Sequence, residues 1–365
     1  LLFLTRDYCF GVELCEDLWS PLPPSTQLAI QGAEIIFNLS SSNCVLGKHA
    51  YRREMIKQQS ARVHSGYVYT SSGVGESSTD LVFSGSTYIA ENGDMLAEGE
   101  RFLHRSSMVI SEIDIERLRT DRQRNTNFTK DQHGHYRKIN VAPIENEDGY
   151  TEPLHRKFSP TPFLPSKADT DSYCSDVFSI QTSALAHRWE HTHAESLVLG
   201  ISGGLDSTLA LLVSVMTADM LGYDRSRILG VTMPGFGTTD RTYSNAIAMM
   251  EQLGISIHEI PIREMTTQHL HDINHDIETR DVTYENAQAR IRTLVLMDLA
   301  NKYNGLVIGT GDLSELALGW ATYCGDQMSM YGINAGIPKT LVRFLVRYAA
   351  ENLFGEEMRS ILMDV

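Results

Sequence analysis

Basic side chains are in short supply. The chain has 31 Lys and Arg against 46 Asp and Glu, a net charge of −15. Holding a nucleic-acid backbone takes a basic face that neutralises many phosphates at once, so this balance argues against a nucleic-acid partner. Small anionic substrates need only one local positive pocket and stay open. Long apolar runs are missing too. No stretch reaches the roughly 18 uninterrupted apolar residues of a membrane span, and no membrane partner is expected. Cysteine is sparse and scattered, at Cys9, Cys15, Cys44, Cys174 and Cys324, an odd count with no CxxC pair. That argues against a disulfide framework or a zinc site and for free thiols in the cytoplasm. The opening "LLFLTRDYCFGVELCEDLW" has no positive head before a long apolar stretch, so it does not read as a signal peptide. It reads as a domain entered partway. No internal repeat is found.

What is present is a globular composition, 42% hydrophobic and 21% charged, over 365 residues, enough for two domains. Residues 1–115 hold short apolar or alternating runs bounded by turn residues: "CFGVELC", "AEIIFNLS", "SGYVYTSS", "LVFSGSTYIA" and "SSMVISEID". These read as strands. A helix is expected over Tyr51–His64, with Met55, Ile56 and Val63 on its buried side, and "ENGD" at 91–94 signals a hairpin. Residues 116–171 are polar and carry several prolines, the pattern of a linker or an arm wrapped on its neighbours. Within 172–365 strands and helices alternate: "ESLVLGI", Ser207–Met220, "ILGVTM", Thr242–Leu253, "ISIHEI", Asn286–Tyr303, "GLVIGT". Such alternation implies an α/β fold with a doubly wound parallel sheet, which binds ligands at its C-terminal strand ends. The loops after Ile201, Met233 and Thr310 are therefore expected to share one crevice.

The first of those loops reads "GISGGLDST", from Gly200 to Thr208. Ser202, Gly203 and Gly204 can turn successive N–H groups toward one anion, with the start of a helix behind them. Ser207 and Thr208 add hydroxyls. The lysine of the familiar nucleoside triphosphate loop is absent, and Asp206 stands in the turn instead. An aspartate cannot contact phosphate as a cation does, but it can hold Mg²⁺, which bridges phosphate oxygens. The loop therefore suits pyrophosphate as a leaving group.

"SGGLDST" resembles the loop of the ATP pyrophosphatase superfamily. "TYENAQARIRTLVLMDLANKYNGLVIGTGDLSELALGWATYCGD" at 283–326, continued by "YGINAGIPKTLV", resembles the NAD synthetase family. The resemblance implies a Rossmann-like domain that adenylates deamido-NAD with ATP as co-substrate and Mg²⁺ as cofactor. Ammonia then displaces AMP, giving NAD. It implies ATP contacts at Gly200, Ile201, Ser202, Gly203, Gly204, Leu205, Asp206, Ser207, Thr208, Met233, Thr310 and Lys339, with "MPGFGTT" at 233–239 holding the adenine. It implies deamido-NAD contacts at Asn286, Arg290, Glu315, Trp320 and Tyr323, and Mg²⁺ on Asp206 and Glu315. From the residues alone each has a plainer alternative. Asn286 and Arg290, four apart on a helix, also suit a solvated face. Glu315 in "DLSE" suits a helix cap. Trp320 and Tyr323 suit core packing, and Lys339 suits the surface.

In the first half, Cys15 follows an apolar strand. A thiolate there can attack a carboxamide and release ammonia, although lone cysteines are commonly inert. "GVELCEDLW" at 11–19, "NLSSSN" at 38–43 and "GVGESSTD" at 73–80 resemble the nitrilase-type glutaminase region found in glutamine-dependent members of the family. That implies part of an α-β-β-α sandwich, with Cys15 as nucleophile and glutamine contacts at Ser42 and Lys48. The family's Glu and Lys partners lie far upstream of the cysteine, and fourteen residues precede Cys15 here. The chain is thus expected to be a piece of a longer protein, truncated at both ends and without glutaminase activity by itself. Smaller departures are Cys324 where the family has asparagine and Lys48 where arginine also occurs. The family implies a homo-oligomer. Two other functions remain open on sequence: another amidating ATP pyrophosphatase such as a GMP synthetase, and a nitrilase-type amidase with a regulatory nucleotide domain.

Overall fold

The computed structural model describes residues 1–76, 80–128, 136–142, 153–237 and 239–365. The chain divides into two compact units, Leu1–Phe158 and Ser159–Val365. Among the described residues no helix is long and apolar enough to cross a membrane.

The first unit is built on β1 (Leu2–Leu4), β2 (Cys9–Leu14), α1 (Pro24–Ile30), β3 (Ile35–Ser40), α2 (Lys48–Arg62), β4 (Gly66–Ser71), β5 (Thr87–Glu91), β6 (Asp94–Glu98), α3 (Ile115–Arg124) and β7 (Lys138–Asn140). One seven-stranded sheet has the order β6-β5-β4-β3-β2-β1-β7. Its centre, β2-β3-β4, is parallel and connected by α1 and α2. The expected hairpin is present: β5 and β6 pair antiparallel around Asn92 (φ 46°) and Gly93 (φ 95°). Two left-handed residues in a row match the strand twist of a two-residue turn. The helix expected over 51–64 begins three residues earlier, and Ile56 and Val63 are buried as anticipated while Met55 packs partly buried against the core.

Two expected strands differ. In "LVFSGSTYIA" pairing begins only at Thr87, because left-handed Gly85 (φ 66°) breaks the run. Residues 106–114 form no strand, and Met108 and Ile110 are exposed. The beginning of the expected linker, by contrast, is ordered structure of the first unit. Asp114 caps α3, Leu118 is fully buried, and Arg122 donates to the carbonyls of Ala33, Val63 and His64. Strand β7 extends the sheet beside β1. This arm is held largely by arginines bonded to backbone carbonyls, which apolar periodicity does not register. Residues 129–135 and 143–152 of the expected linker lie outside the described residues.

The second unit contains α4 (Thr170–Thr192), β8 (Ser196–Gly200), α5 (Leu205–Leu221), β9 (Ile228–Thr232), α6 (Asp240–Leu253), β10 (Ser256–Glu259), α7 (Arg263–Asp272), α8 (Val282–Lys302), β11 (Gly305–Gly309), α9 (Leu313–Leu318), β12 (Tyr331–Gly332), α10 (Lys339–Asn352) and α11 (Glu356–Asp364). Its five strands are all parallel, in the order β10-β9-β8-β11-β12. The chain therefore winds outward from β8 through β9 to β10, then returns to place β11 on the other side of β8. That reversal between β8 and β11 is the switch point where doubly wound sheets open a crevice. Helix α5 is buried almost all round, including Leu209 to Val213, which explains why "TLALLV" shows no polar face. Helix α8 starts four residues earlier than expected because Asp281 accepts the amides of Thr283 and Tyr284.

Candidate functional site

At the switch point the loops after β8, β9 and β11 do share one crevice, a cavity of about 500 Å³. Gly200, Ile201 and Ser202 enter it from β8, Met233 and Gly235–Gly237 from β9, and Thr310 from β11. Of the stretch expected to hold adenine, Thr238 lies outside the described residues. The loop after β8 turns on Gly203, whose φ is +78° and whose missing Cβ would fall 2.1 Å from the carbonyl oxygen of Thr242. No other residue type fits that approach. Ser207 Oγ accepts the Ser202 amide at 3.3 Å and Ser202 Oγ accepts the Gly204 amide at 3.3 Å. The loop's own hydroxyls thus occupy two of the amides expected to face an anion. Asn334, fully buried, clamps the loop by donating to the carbonyls of Asp206 (2.9 Å) and Thr310 (3.2 Å).

Behind the loop three carboxylates converge. Asp206, Asp312 and Glu315 each place an oxygen within 4.8 Å of the others. Asp312 and Glu315 form the anticipated capping box of α9: Asp312 Oδ1 accepts the Glu315 amide and Glu315 Oε2 accepts the Asp312 amide. Burial, then the neighbouring Asp312 and Asp206 charges, pushes the Glu315 carboxyl up. Lys339 reaches the cluster, bonded to Asp206 Oδ2 and 3.3 Å from Asp312 Oδ2. Burial works against its charge, but Asp206 and Asp312 outweigh it and raise its pKa. Asp206 Oδ1 is buried with no hydrogen-bond partner. A set of hard carboxylate oxygens with such an orphan fits a magnesium-sized cation. Asp312 was readable in the sequence only as a cap; its full burial marks it as a further member of the cluster.

Helix α8 turns one face to the cavity and another away from it. Tyr284, Gln288, Arg292 and Leu296, at four-residue steps, line the cavity. Gln288 Oε1 accepts the Phe236 amide, and Arg292 pairs with Asp326 at 2.6 Å. Asn286 and Arg290 lie on another face and do not line the cavity; Arg290 Nε donates to the Tyr323 carbonyl instead. Trp320 and Tyr323 are 81% and 77% exposed, so neither packs as core.

In the first unit β2 ends at Leu14, and Cys15, a non-glycine with φ 44°, opens a short 3₁₀ turn. Its Sγ accepts from Ser40 Oγ at 3.3 Å, and Tyr69 Oη donates to Ser40 at 2.8 Å. Ser42 Oγ accepts from the buried guanidinium of Arg52 at 3.0 Å. Lys48 Nζ donates to Asn43 and lies 5.4 Å over the Trp19 ring. Cys15, Ser42 and Lys48 thus follow the C-terminal ends of neighbouring strands. Beneath the turn, buried Glu13 takes hydrogen bonds from the Tyr67 hydroxyl, the Asn38 amide and the Ser25 N–H. Burial, then the Glu13 charge, raises the Tyr67 pKa well above its ordinary value. Ser40 lay inside the quoted "NLSSSN" stretch without being singled out, and Arg52 and Tyr69 carried no signal in the sequence beyond their positions in helix and strand. Of the "GVGESSTD" stretch, residues 77–79 lie outside the described residues.

Comparison with known proteins covers both units. The NAD synthase family matches residues 178–353, and the carbon-nitrogen hydrolase family matches residues 2–123. A glutamine-dependent NAD(+) synthetase of Mycobacterium leprae is 42% identical over all of this chain and 56% of its own length. The enzyme of that name from Thermotoga maritima is 30% identical over 93% of this chain and 56% of its own. A solved glutamine-dependent NAD+ synthetase of Acinetobacter baumannii, in complex with adenosine diphosphate, superposes with a TM-score of 0.49 at 23% identity, covering 99% of this chain and 60% of that one. The chain therefore spans a little over half the length of the curated relatives it matches. With a carbon-nitrogen hydrolase region followed by an NAD synthase region, it belongs to the glutamine-dependent NAD(+) synthetase family, a family of ligases.

Proposed function

We propose that this chain carries the amidating centre of an ATP-dependent synthetase that converts deamido-NAD to NAD, together with the nucleophile turn of its glutaminase. The observation that carries this reading is the "SGGLDST" loop placed at the switch point, beside three carboxylates and a lysine. A nicotinate carboxylate has no leaving group. Its oxygen attacks the α-phosphorus of ATP, the bond to the bridging oxygen breaks, and pyrophosphate departs from an acyl adenylate. Ammonia then attacks the acyl carbon, AMP leaves, and the lost proton passes to solvent. Asp206 and Glu315, with Asp312, would hold Mg²⁺, which would supply charge neutralisation for the pyrophosphate leaving group. The Gly203 amide orients the phosphates, joined by the Ser202 and Gly204 amides and the Ser207 and Thr208 hydroxyls when they exchange their bonds within the loop for phosphate oxygens, and the loop at Met233–Gly237 receives the adenine. Thr310 and Lys339 complete the ATP contacts. Asn286, Arg290, Trp320 and Tyr323 hold deamido-NAD outside the ATP cavity. Catalysis here is positioning and charge stabilisation, with no covalent protein intermediate in this unit.

In the complete protein, Cys15 attacks the carboxamide of glutamine, which Ser42 and Lys48 hold. Ammonia, taking up a proton, leaves the tetrahedral adduct, and water hydrolyses the remaining thioester to glutamate and the free thiol. The test is AMP and pyrophosphate release by the protein with ammonium salts. Release that requires deamido-NAD and is not supported by XMP fits the proposal; release with XMP replaces it with a GMP synthetase reading, and no acid-dependent release leaves a regulatory nucleotide domain.

A further inference from the structure

The contacts of Lys339 do not fit a residue that only waits for phosphate. Its ammonium is spent on Asp206 and Asp312, two members of the acidic cluster. The anions are fixed. Asp312 is fully buried and bonded through both its carboxylate and its amide to Glu315. The backbone of Asp206 is pinned by Asn334. The cation is mobile at its far end. Lys339 opens α10 after Pro338, its amide is held by Ser314 Oγ at 3.1 Å, and its side chain is half exposed. A four-carbon stem anchored at one end and open to solvent can swing, whereas the carboxylates cannot. Asp206 Oδ1 is left buried without a partner, so the ammonium does not satisfy the cluster.

We propose that the Asp206–Asp312–Glu315 cluster holds two cations in turn: the Lys339 ammonium when no metal is present, and a divalent metal that displaces it. This rests on the reading of the cluster as a metal site. Asp312 Oδ1 is engaged by the Glu315 amide, so a metal ion and the ammonium claim the same oxygen, Asp312 Oδ2, and two cations on one oxygen repel at short range. The displaced lysine, still tethered at the start of α10, becomes available to phosphate only once the metal has arrived. The exchange keeps three carboxylates from facing one another uncompensated, and it couples metal entry to the release of a phosphate-binding cation.

Mn²⁺ alone, without nucleotide, is the probe, added to the 365-residue chain. Binding is followed by the electron paramagnetic resonance of free Mn²⁺, and the crystal structure of the Mn²⁺ form locates the ion by its anomalous signal. Exchange predicts Mn²⁺ among the three carboxylates, with Lys339 Nζ out of contact with both aspartates. It also predicts that Asp312→Asn, which preserves the shape of the cap, weakens Mn²⁺ binding by at least about tenfold. Failure of Mn²⁺ to bind the unaltered chain overturns the underlying metal-site reading. Bound Mn²⁺ with Lys339 still on Asp206 and Asp312 overturns the exchange alone. Unchanged affinity in Asp312→Asn removes Asp312 from the metal shell and with it the competition for a shared oxygen.

Discussion

The turns that end β2 and β8 occupy comparable places in their units, each at the C-terminal end of a parallel strand, and each contains a left-handed residue. After β8 that residue is Gly203 (φ 78°), and the Thr242 carbonyl sits where a side chain would be. After β2 it is Cys15 (φ 44°), which carries a thiol. In the second unit the left-handed residue only shapes the backbone, so glycine serves and the chemistry falls to neighbours such as Asp206. In the first unit the left-handed residue is, on the proposed function, itself the nucleophile and cannot be glycine. The surroundings differ accordingly. The β8 turn opens on a cavity whose lining charges balance, Arg280 and Arg292 against Glu285 and Asp326, and its Asp206 belongs to the three-carboxylate cluster. The Cys15 turn rests on a buried layer of Glu13, Asn38 and Tyr67, and on hydroxyls backed by Arg52.

The sharpest way to separate the two turns is to remove the chemistry of each. Asp206→Ala in the complete protein is expected to lower NAD output by at least about 10²–10³-fold, whether glutamine or ammonium salts supply nitrogen. Cys15→Ala is expected to lose glutamine-driven output by a similar factor while ammonium salts restore it. Assaying both variants with both nitrogen sources checks the division of labour. Equal loss of both activities in Cys15→Ala would mean that the two turns are not chemically separate. Next in size is Gly203→Ala. A Cβ meeting the Thr242 carbonyl at 2.1 Å, at a positive φ, forces the loop or α6 to move. A loss of about 2–4 kcal/mol in the stability of the second unit is expected, read from hydrogen exchange in β8 and α5.

Asn334→Ala comes third. It leaves the carbonyls of Asp206 and Thr310 without their donor in a fully buried position, at a cost of about 1–3 kcal/mol. Because those carbonyls set the spacing of the β8 and β11 loops, ATP affinity measured by calorimetry should fall by about tenfold. No corresponding clamp was visible in the sequence, and the reason is general. Asn334 sits among loop residues with no periodicity, and its role exists only when two distant strand ends are brought together. Features that live on one element were legible: the strand–helix alternation, the Gly203 turn, the hairpin at Asn92–Gly93, the capping box of Asp312 and Glu315. Features that need two elements were not. Asp312 read as a cap because the approach of Asp206 is a tertiary event. Helix α8 showed its Asn286–Arg290 face, whereas Tyr284, Gln288 and Arg292 gained meaning only beside the β9 loop. The segment at α3 stayed open between linker and wrapped arm because Arg119 and Arg122 dock by hydrogen bonds to Glu34 and to carbonyls rather than by an apolar stripe.

The smallest effect tests the comparison from the other side. If Cys15 keeps a side chain in the left-handed region for the sake of its sulfur, the first unit carries strain that glycine would relieve. Replacing Cys15 with alanine removes the thiol, its hydrogen bond from Ser40 and little else, so it is the proper reference. Cys15→Gly then differs from it by one Cβ. In an ordinary helix or strand that change is destabilising, since glycine has more backbone entropy to lose on folding. At φ 44° the L-residue carries a steric penalty of about 1–2 kcal/mol, larger than the entropy term. Cys15→Gly should therefore be more stable than Cys15→Ala by about 0.5–1 kcal/mol, measured from hydrogen exchange of the β2 and β3 amides. The opposite order would place the Cys15 backbone in a relaxed conformation and remove the parallel with Gly203. At Gly203 itself the preference for glycine over alanine has the same sign and is several-fold larger, because there a neighbouring carbonyl, and not only the local backbone, forbids the Cβ.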